Sequence, residues 1–196
     1  MLFRSHHDSA QLQFLEKKQT ENGEIYEATR PIRGYSLFVS GQNPQFRNSY
    51  CLAESLGEAI LALGRPLTLH HAEVVEGENR PLLHQRLGIY QYDGLAVLRK
   101  TAMPAVLLEV GVLVDRTDEA YVSNPHNQQA LVEAVTRALH PWRERLARNL
   151  AGQRLTPCEA AAALPEPGIK PEANPEKKPE TKPGTKPEKK LKKPAM

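Results

Sequence analysis

The sequence predicts an α/β fold, a sheet covered by helices on both faces. Three observations carry that expectation. Short apolar runs alternate along the chain with segments whose apolar residues recur every three to four positions. The runs are apolar throughout rather than alternately polar, as in strands buried on both faces. No internal repeat interrupts the pattern.

Taken in order, Leu2 to Ser5 reads as a strand that runs into the polar cluster His6-His7-Asp8-Ser9. Residues 10–33 are polar, end in Arg-Pro-Ile-Arg-Gly and read as a long loop. Tyr35 to Ser40 is a strand, and Asn43-Pro44 opens a helix. The helix has Phe46, Tyr50, Ala53, Leu56, Ile60 and Leu63 on one face, and Gly64 stops it. Leu67 to His70 reads as a short strand, and residues 71–93 as a second long polar connection. Connections of that length in a domain are usually functional or disordered. Leu95 to Leu98 and Ala105 to Gly111 read as strands. Asn124-Pro125 caps a last helix, with Leu131, Val135, Ala138, Leu139 and Trp142 on one face and Pro141 expected to kink or restart it.

The chain of 196 residues divides by composition. Residues 1–150 form the folding unit, 151–164 a helical or linker extension, and 165–196 a tail. The tail has Pro at 167, 171, 175, 179, 183 and 187, with 9 Lys, 5 Glu and no aromatic residue. It cannot bury enough apolar surface to offset its ordering entropy, so disorder with polyproline-II character is expected. The tail carries a net +4 of the chain's +3, leaving −1 on the body. Without a basic stripe on the body, nucleic acid is not an expected partner. No apolar run reaches membrane-spanning length, and the N-terminus does not read as a signal peptide. Cys51 and Cys158 form no metal-spacing motif and imply no disulfide framework; Cys51 reads as a small buried apolar group.

Glu109 is the most informative residue. It interrupts the apolar run AVLLEVGVLV, where an ionised carboxylate is costly unless it meets a metal, a charge or solvent at the strand's end. Burial raises a carboxylate's pKa, as general-base work near neutral pH requires. A Glu simply facing water at the strand tip is the plain alternative. His6 and His7 follow a strand, where open α/β sheets place their sites. One imidazole of the pair suits zinc, with Asp8 orienting it; an ordinary polar loop is the alternative. His70-His71-Ala72-Glu73 follows another strand and reads as a rim feature, more simply as surface. Glu78, Asn79, Arg80 and Arg86, in the second long connection, are candidates for a polar or anionic substrate, or for plain solvation. No G-x-S-x-G elbow and no Gly-rich phosphate loop occurs.

These pieces, in this order, resemble the zinc-dependent N-acetylmuramoyl-L-alanine amidase family over about residues 2–140. Arg4-Ser5-His6-His7-Asp8-Ser9 is similar to the family's Ser-Ile-His strand, with His6 on its zinc-ligand position. YSLFVS and the following helix match its next landmark. ENRPLL…GIYQYDGLAVLR resembles the approach to its penultimate strand, and PAVLLEVGVLVDRTDEAYVSN its PAVLVE-type strand, which places the catalytic glutamate at Glu109. The resemblance implies a mixed sheet flanked by helices on both faces. It implies a Zn2+ cofactor and peptidoglycan as substrate, cleaved between N-acetylmuramic acid and L-alanine. It also implies action in the cell envelope, periplasmic or extracellular. The family's first zinc His and its Glu precede the Ser-Ile-His strand and have no counterpart here. The chain is therefore expected to be N-terminally truncated, to lack its first strands and to be inactive as a fragment. No autoinhibitory helix is expected between His7 and YSLFVS. A non-catalytic peptidoglycan-binding module and a zinc carboxypeptidase acting on the stem peptide are the competing expectations.

Overall fold

The apolar run expected around Glu109 becomes the strand on which the sheet is built. The computed structural model describes residues 2–8 and 12–150. The expected extension at 151–164 and tail at 165–196 lie outside the described residues. The strands are β1 (Leu2–Asp8), β2 (Leu15–Thr20), β3 (Gly23–Ala28), β4 (Ser36–Val39), β5 (Leu82–His84), β6 (Ile89–Gln91) and β7 (Ala105–Val112). The helices are α1 (Phe46–Leu61), α2 (Ala96–Lys100), α3 (Arg116–Ser123) and α4 (Pro125–Leu150). Five strands form one sheet in the order β1-β7-β4-β6-β5. It is mixed: β1 runs parallel to β7 and β4 parallel to β6, while β4–β7 and β5–β6 are antiparallel.

Alternation along the strands sorts their side chains between two cores. Leu37, Val39, Ile89, Val106 and Leu108 pack against Leu52, Ala53, Leu56 and Ile60 of α1 and Leu131, Ala138 and Trp142 of α4. Phe38, Tyr90, Ala105 and Leu107 point to the other face, with Leu98 of α2 over them. Helices thus flank both faces, although the second carries only the short α2. Glu109, two residues beyond Leu107, shares this lightly covered face.

Several elements differ from expectation. Residues 10–33 contain a hairpin, β2 paired antiparallel with β3. Its strands have no fully buried position, so no apolar alternation marks them. Cross-strand charges accompany the pairing instead, Lys17–Glu24 at 2.6 Å and Lys18–Glu27 at 2.8 Å. Residues 71–93 hold β5 and β6, each only three residues long. Leu95 to Leu98 enters α2 rather than a strand, a four-residue apolar run being compatible with either period. Leu67 makes a single bridge to Tyr35, and His70–Ala72 is a 3-10 turn. α3 is an additional helix whose N-cap is Asp115, its carboxylate accepting from the Thr117 and Asp118 amides. α4 continues through Pro141. Cys51 is buried, as expected, but disulfide-bonded rather than a free apolar group.

A buried polar clamp fixes one end of the sheet. The Asp118 carboxylate accepts hydrogen bonds from the Gly34 amide at 2.7 Å, the Val112 amide at 2.9 Å and Arg65 Nη1 at 2.8 Å. Arg65 Nη2 donates to the Val110 carbonyl at 2.9 Å, and its guanidinium lies 4.1 Å from the Tyr121 ring centroid. The clamp ties the far end of β7 to the residues entering β4. Both belong to the backbone around Glu109.

Candidate active site

Glu109 lies inside β7, not at its tip. It pairs in backbone register with His6 of β1 on one side and Ser36 of β4 on the other. β4 starts at Ser36, so the sheet narrows at this level and the Glu109 side chain keeps 15% of its exposure. The strand-end expectation is therefore corrected in detail: the neighbouring strand ends beside Glu109, while its own continues to Val112. His6 stands beside Glu109 in register; its side chain lies outside the described atoms. Ser36 is buried, and its hydroxyl makes no hydrogen bond among the described residues.

The segment 68–80 folds over the same face and brings further functional groups to Glu109. His70 and His71, expected at an exposed rim, are both buried at 3% exposure. Their rings lie 3.8 Å apart between centroids. The Thr68 hydroxyl and His70 Nδ1 share a hydrogen bond of 2.7 Å, and Tyr90 Oη donates to the Thr68 carbonyl at 2.9 Å. His71 is held edge-on to Phe38 at 4.9 Å and to Tyr90 at 5.4 Å. Its Nδ1 is 2.9 Å from Glu78 Oε2, and its Nε2 is 3.9 Å from Glu109 Oε2. Desolvation by burial pushes the Tyr90 hydroxyl well above its ordinary pKa, so this wall is neutral.

The residues expected to contact substrate separate into distinct roles. Glu78 is buried in the cluster. Arg80 Nη1 donates to Glu78 Oε2 at 2.9 Å and to the Gly77 carbonyl at 3.0 Å. Its guanidinium lies 4.3 Å from the Tyr92 ring centroid. Asn79 takes a φ of 63°, the left-handed conformation that asparagine tolerates better than most side chains. That turn lets the Arg80 amide reach back to the His71 carbonyl at 2.8 Å. Arg86 instead pairs with Glu58 of α1 at the surface; the next residue, Leu87, packs in the α1 core. The sequence signal for the cluster was the His-His pair itself. The pair alone does not reveal that residues 71–78 fold back over Phe38.

His70, His71 and Glu78 each offer one ligand atom, and these atoms lie within 4.8 Å of one another. Two imidazoles and a carboxylate are donors that suit zinc at a catalytic site. The Arg80–Glu78 pair holds this carboxylate beside the two imidazoles. The arrangement therefore defines an α/β protein with a metal-capable donor group beside a partly buried glutamate on its central strand.

The chain belongs to the N-acetylmuramoyl-L-alanine amidase family, whose model matches residues 4–141. Its fold is similar to that of Ami1, an N-acetylmuramyl-L-alanine amidase from Mycobacterium smegmatis, with a TM-score of 0.50 at 18% identity over 71% of this chain and 52% of that one. It is also similar to an N-acetylmuramoyl-L-alanine amidase from Clostridium difficile 630, with a TM-score of 0.48 at 18% identity over 72% and 56%. AmiC2 of Nostoc punctiforme gives 0.46 at 19% identity over 73% and 57%. The chain thus spans little more than half the length of these structures. No curated protein matches it in sequence.

Proposed function

We propose that this chain acts in peptidoglycan hydrolysis at the amide between N-acetylmuramic acid and L-alanine, with Glu109 as general base. The observation that carries the reading is the place of Glu109. It is a partly buried carboxylate beside His71 and the Glu78 pair, on the strand that resembles the family's catalytic one.

The donor chemistry beside Glu109 fits zinc, which three of the donors His6, His70, His71 and Glu78 would hold with the fourth position open to water. Zinc, when bound, supplies Lewis-acid polarisation of the amide carbonyl and a more acidic water. The protein's own groups do the rest. Glu109 takes the proton of the attacking water and passes it to the departing amine. Arg80 holds Glu78, and Glu78 fixes the rotation of the His71 ring. Phe38, Tyr90 and Tyr92 exclude water from the inner wall. Asn79 forms the turn that closes the loop, and Arg86 lies on the surface toward α1.

The disulfide on Cys51 supports an oxidising compartment, consistent with the cell envelope. Among the described residues no helix is long and apolar enough to cross a membrane.

The test is product analysis of purified peptidoglycan incubated with the chain and zinc. New L-alanine amino termini with intact muramic acid are expected. Glu109→Gln should lower kcat by about 10²–10⁴-fold. Products cut within the stem peptide would favour a carboxypeptidase. Peptidoglycan binding without cleavage or zinc would favour a non-catalytic module.

A further inference from the structure

We infer that the cavity between segments 30–33 and 66–73 is a subsite for an acidic peptide, with Arg33 binding the peptide's carboxylate. The cavity has a volume of about 370 Å³ and has His70 in its lining. His70 stacks on His71, which reaches Glu109. The cavity therefore adjoins the Glu109 site across the His70–His71 pair. Identifying its occupant as the peptide attached to the scissile amide rests on the proposed amidase reading.

The walls are built rather than incidental. The Tyr35 amide donates to the Pro66 carbonyl and the Thr68 amide to the Tyr35 carbonyl, each at 3.0 Å. Gly34, with a φ of +119°, presses the two segments together: a Cβ there would stand 2.6 Å from the Pro66 carbonyl oxygen. Arg30 straps one wall to the other through both oxygens of Glu73, at 2.6 and 2.5 Å. It also lies 4.4 Å from the Phe14 ring centroid. Arg30 is thus spent on structure. Arg33, also in the lining, is exposed and has no ion pair among the described residues. A guanidinium beside a pocket whose other cation is already paired selects a carboxylate. Prolines and leucines in the lining, with Leu69 39% exposed, suit the short aliphatic side chains of a peptide rather than a sugar.

The binding test uses the Glu109→Gln chain, which should bind without turnover. It is titrated calorimetrically with an N-acetylmuramoyl peptide bearing a free carboxylate, and with the corresponding carboxamide. The carboxylate should bind about tenfold more tightly. Adding Arg33→Gln should abolish that preference, and Arg33→Lys should retain part of it. Equal binding of the two peptides, or a preference that survives Arg33→Gln, overturns the subsite. Hydrolysis by the unmodified chain is scored separately. Arg33-dependent binding without hydrolysis sustains the subsite and removes the amidase reading. Hydrolysis whose KM is unmoved by Arg33→Gln removes the subsite and leaves the reaction.

Discussion

Asp118→Ala tests whether the clamp at the end of β7 holds the site together. The carboxylate is fully buried, pairs with an Arg65 that is itself 3% exposed, and accepts from the Gly34 and Val112 amides. Removing one partner of a buried ion pair costs about 3–5 kcal/mol, because the other charge stays buried. Each orphaned amide adds about 1–3 kcal/mol when considered alone. These contributions share one cavity and do not sum, so about 4 kcal/mol is expected. That is a large part of a domain's usual 5–15 kcal/mol, taken as roughly typical here. With a urea m value of about 2 kcal/mol/M, the midpoint should fall by roughly 2 M. Circular dichroism in urea measures it. Arg65→Met combined with Asp118→Leu should recover part of the loss, since no charge is then left unpaired. A midpoint shift below about 0.5 M at unchanged m would refute the argument, as would a double variant as weak as both single losses added.

Zinc should raise the urea midpoint of the chain, by an amount equivalent to about 2.7 kcal/mol at a hundredfold excess over Kd. His71→Ala should remove that response while leaving the far-ultraviolet spectrum unchanged, and an undiminished zinc effect in that variant would exclude His71 as a ligand. Desolvation by burial raises the Tyr35 and Tyr50 hydroxyls to about 12, helped by the nearby charges of Glu58 and Glu54 respectively. Both groups ionise near pH 10 in the unfolded chain, so above that pH the unfolded state binds fewer protons and stability falls. The loss should run between about pH 10 and 12 in denaturation curves at stepped pH, and a flat profile there would contradict the burial of these hydroxyls.

The legible parts of the fold were those with long, consistent periodicity. α1 shows helical spacing over four turns, and β7 is an eight-residue strand, apolar but for Glu109; tertiary packing agrees with the local pattern in both. The hairpin β2–β3 was not legible because none of its positions is fully buried and charged residues are interspersed along both strands. β5 and β6 are three residues each, too short for any period to register. The Leu95–Leu98 run shows the same limit from the other side, because four apolar residues fit a strand and a helical turn equally well. At the site, Glu109 stood out because a carboxylate interrupts an apolar strand. His70 and His71 did not, because their burial depends on Phe38 and Tyr90, which lie on other strands. Asp118 and Arg65 were invisible for the same reason: each reads as an ordinary surface charge until the chain brings 53 residues' separation down to 2.8 Å.

The two long connections pack over the candidate site because the sheet leaves it open. Glu109 stands where β4 begins, so the sheet cannot cover its carboxylate, and α2 sits further along the same face with its Leu98 over Leu107. The segment after Leu67 closes the gap through His71, and the segment before β4 packs against it. One brings Arg30, Arg33 and Gly34; the other brings His70, His71 and, through the Asn79 turn, Glu78. They meet at Gly34, where the Asp118 clamp, the Pro66 carbonyl and the end of β7 converge. A side chain at position 34 would push the 66–68 backbone outward and carry His70 with it. Gly34→Val should accordingly weaken zinc binding and peptide binding together, although residue 34 touches neither ligand. If zinc affinity held while only the peptide was lost, the two walls would be mechanically independent and this account of the site would fail.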